Sequence, residues 1–536
     1  MIDSCLFELQ ALQALWGGFG VLNFAILCAT VGAAILAPLL PHFYSKTIAR
    51  FMKFQQVAPP PLGWAQRRAR KLDRPKPPTA QIALSLPLAE ARVLRESRVR
   101  RATMIAYGAF IVWGLMVGEL RGGGSLIVTC LAMLLLAGYA AGPAIVNIAP
   151  AGSRGLLLGF AVVVVVMNAG IQWLRESISV IELIPGTTLL IVLFSLSLHR
   201  TLRSLFVPLT ALAGAAALGF VTLTFGYTAH VCTSGAASVK AVDTLVDISI
   251  RTIGYFVFAA CILGALLLLG GFARLHERGV VSDLSLAAGF GLLAVVAHFS
   301  ATNDPTPSPN AITWLVWSGV TIAAYVLALR RMPQPSGSRT LLLLRVFSKD
   351  RQMERLLDGV QTRWRYAGPV LQIGGPDLAK LNIEPYDLLK FVSFKAHELF
   401  LPGELSLDEL RNSLDLAPDR EGRFRVNEVF CFDTAWRSTV EKLIDLSDVI
   451  LLDLRGFSAE RKGTAFEVKL LSANRKLARV LAIGDETTDW THVDALLGKV
   501  REGAREVRLD AREKLAMLRC IERLERLATG EAGGSC

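Results

Sequence analysis

Apolar positions in the first 336 residues come in long runs, whereas from Gly337 onward they come in short runs separated by amphipathic stretches. A helix needs about 20 apolar residues to cross ~30 Å of hydrocarbon. Runs of that order lie near residues 16–40, 103–120, 125–149, 155–173, 178–198, 205–227, 252–272, 284–300 and 311–329, a pattern that predicts nine spans. An odd number of spans puts the two termini on opposite sides.

Beyond RRMPQPSGS the pattern predicts alternating strands and helices. Strands are expected at 340–347, 368–375, 424–432, 448–456, 479–485 and 506–510, with helices in the intervals. The expected fold class is thus a multi-span α-helical membrane protein carrying a C-terminal α/β doubly wound domain of the flavodoxin-like type. Leu515, Leu518, Ile521, Leu524 and Leu527 form one stripe of the last helix, which predicts that it packs on the sheet.

Composition supports the division. The chain of 536 residues is 52% hydrophobic and 19% charged, with a mean hydropathy of +0.45. Its formal charge of +12 is not shared evenly, because residues 337–536 hold 32 basic and 32 acidic side chains. Residues 45–102 carry 14 basic and 3 acidic ones. Basic residues also recur in alternate loops, and such loops face the cytoplasm. The expected location is a bacterial inner (cytoplasmic) membrane. Residues 1–336 form the membrane domain with its basic loop at 45–102, the N-terminus lies outside, and residues 337–536 form a cytoplasmic domain.

Within that loop Arg92, Arg95, Arg98 and Arg101 recur at helical spacing, so one face of a helix is expected to lie on anionic headgroups of the bilayer. The confined basic stretch speaks against nucleic acid as a partner. Eight scattered cysteines without a CxxC pair indicate neither a zinc site nor a disulfide framework. Glu119, Glu182 and His298 are the ionisable residues within the apolar runs, and they fall at or near the ends, which gives a proton-coupled path little support. A phosphate-binding G-x-x-x-x-G-K-[ST] loop and an H-E-x-x-H metal motif are both missing from the sequence.

In a doubly wound sheet ligands bind at the carboxyl ends of the strands. Those ends bring Ser348, Lys349 and Asp350 to one side of the expected crevice and Asp453, Arg455 and Gly456 to the other, as rim groups for ribose or phosphate. The most informative stretch is WRSTVEKLIDLSDVILLDLRGFSAERKGTAFEVKLLSANRKLARVLAIGD, residues 436–485. A helix ends at Ser447-Asp448, a buried strand follows, and Gly463-Thr464 opens a helix carrying Glu467. This arrangement resembles TIR domains, and the GTAFEV string is similar to nucleoside 2-deoxyribosyltransferases. Both resemblances imply that Glu467 is the catalytic carboxylate, acting at a sugar anomeric carbon as nucleophile or electrostatic stabiliser.

The function implied is an NAD or nucleotide N-glycosidase acting in signalling or defence. No cofactor is required, and NAD or a related nucleotide is the expected ligand or substrate. Two alternatives stay open: a non-enzymatic receptor or scaffold that self-associates through the same domain, and a transporter with a regulatory domain.

Overall fold

The run Leu341 to Leu344 has four apolar side chains in succession, a pattern suited to a strand covered on both faces. The computed structural model describes residues 41–52, 84–120, 309–345, 351–375, 396–401, 405–473, 479–497, 505–508 and 516–530. It also describes single positions at 39, between 256 and 282, and between 387 and 394. In chain order the elements are β1 (Leu84–Ser85), α1 (Leu88–Leu120), α2 (Pro309–Arg331), β2 (Pro335–Ser336), β3 (Leu341–Arg345), α3 (Arg351–Trp364), β4 (Val370–Ile373) and α4 (Leu407–Ser413). There follow β5 (Val426–Val429), α5 (Trp436–Leu446), β6 (Val449–Asp453), α6 (Lys462–Ala473), β7 (Val480–Gly484), α7 (Trp490–Leu497), β8 (Arg505–Arg508) and α8 (Ala516–Thr529).

β3 to β8 form one parallel sheet in the order β5-β4-β3-β6-β7-β8. β3 to β7 fall within segments that the sequence marks, and β8 overlaps the one at 506–510 but starts one residue earlier. The order differs from the flavodoxin-like expectation, because the fourth strand of the domain, not the third, lies beside the first. This is the strand order of dinucleotide-binding sheets, with its reversal between β3 and β6.

Alternation along the strands divides the core in two. Leu342, Leu344, Ile450, Leu452 and Leu454 face α5, α6 and α7, where they meet Val440, Leu443, Val468 and Val493. Leu341, Leu343, Val449 and Leu451 face α3 and α8, where they meet Val360, Trp364, Ile521, Leu524 and Leu527. Ile521, Leu524 and Leu527 of the expected stripe therefore pack on the sheet, Leu518 is half-buried, and Leu515 lies outside the described residues.

The nine-span architecture is corrected by the helices. Among the described residues, no helix is long and apolar enough to cross a membrane, and the inner-membrane location loses its support with that finding. The run at 103–120 is the second half of α1, a helix of 33 residues whose first half carries Arg92, Arg95, Glu96, Arg98, Arg100 and Arg101. The run at 311–329 lies within α2, 23 residues long, and packs along α1. Trp317 stacks on Phe110 at 4.4 Å between ring centroids and donates its indole N–H to the Phe110 carbonyl at 2.7 Å. Phe110 and Trp317 thus serve a helix-to-helix contact, while Met104, Val112, Met116, Ile322 and Leu327 of the same runs stay exposed. The runs at 125–149, 155–173, 178–198, 205–227 and 284–300 lie outside the described residues, as does nearly all of 16–40 and most of 252–272.

Segments before Gly337 are also built into the α/β domain. β1 pairs with β2 in parallel, Leu88 enters the core beside α8, and Tyr44 and Phe51 of the helical residues 41–52 pack on Phe391 and Phe400. The arginine stripe of α1 is turned to this domain. Arg92 pairs with Glu525 of α8, while Arg95 donates to the carbonyls of Tyr366 (2.7 Å), Pro335 (3.0 Å) and Gly337. Arg98 donates to the Leu329 carbonyl, and Arg101 alone of the four is exposed.

Candidate functional site

The reversal of strand order between β3 and β6 sets where the crevice must lie, and β6 contributes Asp453 and Arg455 to that edge. Alternation along β6 assigns both side chains to the α8 face, since Val449 and Leu451 point there and Leu454 points away. The two are joined head-on: Arg455 Nε donates to Asp453 Oδ1 at 2.8 Å and Nη2 donates to Oδ2 at 2.7 Å. Their side chains are 1% and 3% exposed. Bidentate geometry of this kind satisfies a buried charge pair. The expected rim groups are therefore an internal brace that reaches no solvent. Cys520 of α8 feels this pair, and its thiol is pushed up to about 12 by burial first, with Asp453 adding to the shift.

Gly456 follows in the left-handed region at φ 71°, where a side chain would strain the turn. Its N–H donates to Thr487 Oγ1 at 2.9 Å, and Thr488 Oγ1 donates to the Leu454 carbonyl at 3.0 Å. The loop after β6 is thereby fastened to the loop after β7. Asp485 holds that second loop by accepting from the Thr487 N–H at 3.0 Å and its hydroxyl at 2.6 Å. Gly484 is required for a different reason, because a Cβ there would sit 2.1 Å from the Trp490 ring. Ser348, Lys349 and Asp350 lie outside the described residues.

Glu467 stands apart from this brace. α6 turns Thr464, Glu467, Val468 and Leu471 inward, and it covers the face of the sheet opposite to α8. The structure therefore separates Glu467 from the Asp453 and Arg455 pair by the thickness of the sheet. Glu467 is 5% exposed, and its Oε2 has no hydrogen-bond partner among the described residues. Burial pushes the carboxyl up to about 8, so its neutral form predominates at pH 7.

Near it, at the paired starts of α5 and α6, Trp436 and Phe466 are half-buried with ring centroids 5.4 Å apart. The Arg437 guanidinium lies 5.2 Å from the Phe466 centroid. Hydrophobic patterning does not single out these three; the signal that could is a Trp-Arg pair opening a helix that follows a strand. Among the described residues, no group of three or more His, Cys, Asp or Glu side chains is placed to hold a metal ion. Comparison of the chain with family models, curated proteins and solved structures finds no match.

Proposed function

We propose that the α/β domain binds a nucleotide-type N-glycoside at the carboxyl edge of its sheet and hydrolyses the bond between base and sugar, with Glu467 as the reacting carboxyl. The observation that carries this reading is the buried, unpartnered Oε2 of Glu467. A carboxyl held in an apolar core without a donor is costly to keep, and a strongly shifted buried acid is a marker of a functional site. The strand order adds support, since its reversal point is where sheets of this order take dinucleotides.

Burial also changes the role. A carboxyl that titrates near 8 is an acid at neutral pH, which suits protonation of a leaving group better than nucleophilic attack. In the proposed step the glycosidic C–N bond of a purine or pyrimidine nucleoside or nucleotide breaks, and its electron pair goes to the base, a nitrogen of which takes the Glu467 proton. Water forms the new bond to the anomeric carbon, and its proton restores the carboxyl. Trp436 and Phe466 offer faces on which a base can stack. The test is to incubate the full chain with purine and pyrimidine nucleosides and their monophosphates and to measure released base, with NAD, whose nicotinamide leaves neutral without taking a proton, as the control. Release by the natural chain that falls 100-fold or more in Glu467→Gln, on the order of an electrostatic catalytic contribution, supports the reading. Equal release by both proteins overturns it.

A further inference from the structure

A second buried carboxyl lies where α1 and α2 meet the α/β domain, far from α6 in sequence. Glu421 belongs to the loop between α4 and β5 and is 2% exposed. From α2, the Tyr325 hydroxyl donates to its Oε1 at 2.9 Å. Oε2 has no hydrogen-bond partner among the described residues. From α1, Arg98 is 4% exposed, and its Nη1 would lie 3.5 Å from a Cβ placed on Gly422, so the guanidinium crosses directly over this loop.

The neighbours decide which carboxyl carries a proton. Asp419 Oδ1 accepts from the backbone N–H groups of Glu421 (3.0 Å) and Arg423 (2.9 Å); burial raises this carboxyl too, but these donors and the Arg423, Arg365 and Arg425 charges favour its charged form. On Glu421 the Ser282 and Tyr325 side chains favour the charged form in the same sense, but the carboxyl is buried in the field of Asp419, and these two effects outweigh them. Facing Glu421 are Asp419 and Arg423 of its own loop, Tyr325 of α2, Ser282, Arg98 of α1, and Tyr366 after α3. Arg365 and Arg425 face Asp419. Burial, and after it the charge of Asp419, raises the Glu421 carboxyl from its ordinary 4.5 to about 7.

We propose that Glu421 is a proton-linked latch, whose neutral form lets the α1–α2 pair stay docked on the α/β domain and whose ionised form, a buried charge beside Asp419, favours opening of that interface. Ionisation places a second negative charge beside Asp419 in a buried site, and opening lets water solvate it. The proton passes to solvent on release. The latch is distinct from Glu467, and neither inference depends on the other.

The sign follows from linkage. A carboxyl raised in the closed state keeps its contribution below its ordinary value and loses it as pH rises toward the raised one. Hydrogen exchange of the full chain, corrected for the intrinsic pH dependence of exchange, tests this in peptides covering residues 321–332 and 415–425. Between pH 5 and pH 7.5 the opening constant is expected to rise on the order of 50-fold and to level off above pH 7. Peptides covering β6 should not follow it. Glu421→Gln should remove the rise, and Tyr325→Phe, which deletes a donor that favours the carboxylate, should move the levelling point to higher pH. A flat profile in the natural chain, or the same rise in Glu421→Gln, overturns the proposal.

Discussion

Two acidic side chains in this fold show how environment, not residue type, decides a role. Asp453 is buried and fully answered by Arg455, whereas Glu467 is buried with an oxygen unanswered. Removing one partner of a buried pair strands the other charge, so Arg455→Ala should cost about 3 to 5 kcal/mol in denaturant unfolding. Replacing both residues with apolar side chains of similar volume should recover most of that loss. Glu467→Gln should behave in the opposite way. The carboxyl is raised from 4.5 to about 8, so the stability it contributes is intact below pH 4.5 and is lost as pH rises through 8. Gln cannot ionise, and at pH 9 the variant is expected to melt at a higher temperature than the natural chain. A lower melting temperature at pH 9 would show that Glu467 has a donor in the folded protein.

Strands covered on both faces were legible in the sequence, whereas the partner of the one-sided face of α1 was not. Leu341 to Leu344 and Val449 to Leu452 read directly as strands because both faces are covered, leaving nothing polar to confuse the pattern. α1 illustrates the opposite case. Its arginines at helical spacing announce a face, but spacing is the same whether that face meets headgroups or backbone carbonyls. Only the fold shows Arg95 reaching Tyr366, Pro335 and Gly337, with its guanidinium 5.2 Å from the Phe424 centroid. Hydrogen bonds to a charged group contribute about 1.5 to 3 kcal/mol each, and their loss leaves carbonyls unanswered. Arg95→Ala is therefore expected to lower stability by about 2 kcal/mol or more, while Arg101→Ala, at an exposed site, should stay within about 0.5 kcal/mol. Equal effects of the two would mean that α1 does not depend on the docked face.

At the scale of the whole molecule, the division at Gly337 marks a change of pattern but not a physical boundary. Leu88, Arg92 and Arg95 from one side are part of the structure built by the other. Strand order was also beyond local patterning, because it depends on which way each crossover turns. Glu467 was legible from the GTAFEV string through a family resemblance, whereas its protonation was not, since burial comes from Val468, Leu471 and the sheet together. Trp436 and Phe466 lie side by side only because α5 and α6 start at the same edge.

The most direct test of Glu467 as a buried acid at a glycoside site is the pH dependence of base release by the full chain, taken from pH 5 to pH 10. With Glu467 as the proton donor, kcat/KM should hold on the acid side and fall tenfold per pH unit above about 8. That alkaline limb should be absent from whatever activity remains in Glu467→Gln. A rate that climbs through pH 8, or an alkaline limb that survives in Glu467→Gln, would contradict the assignment.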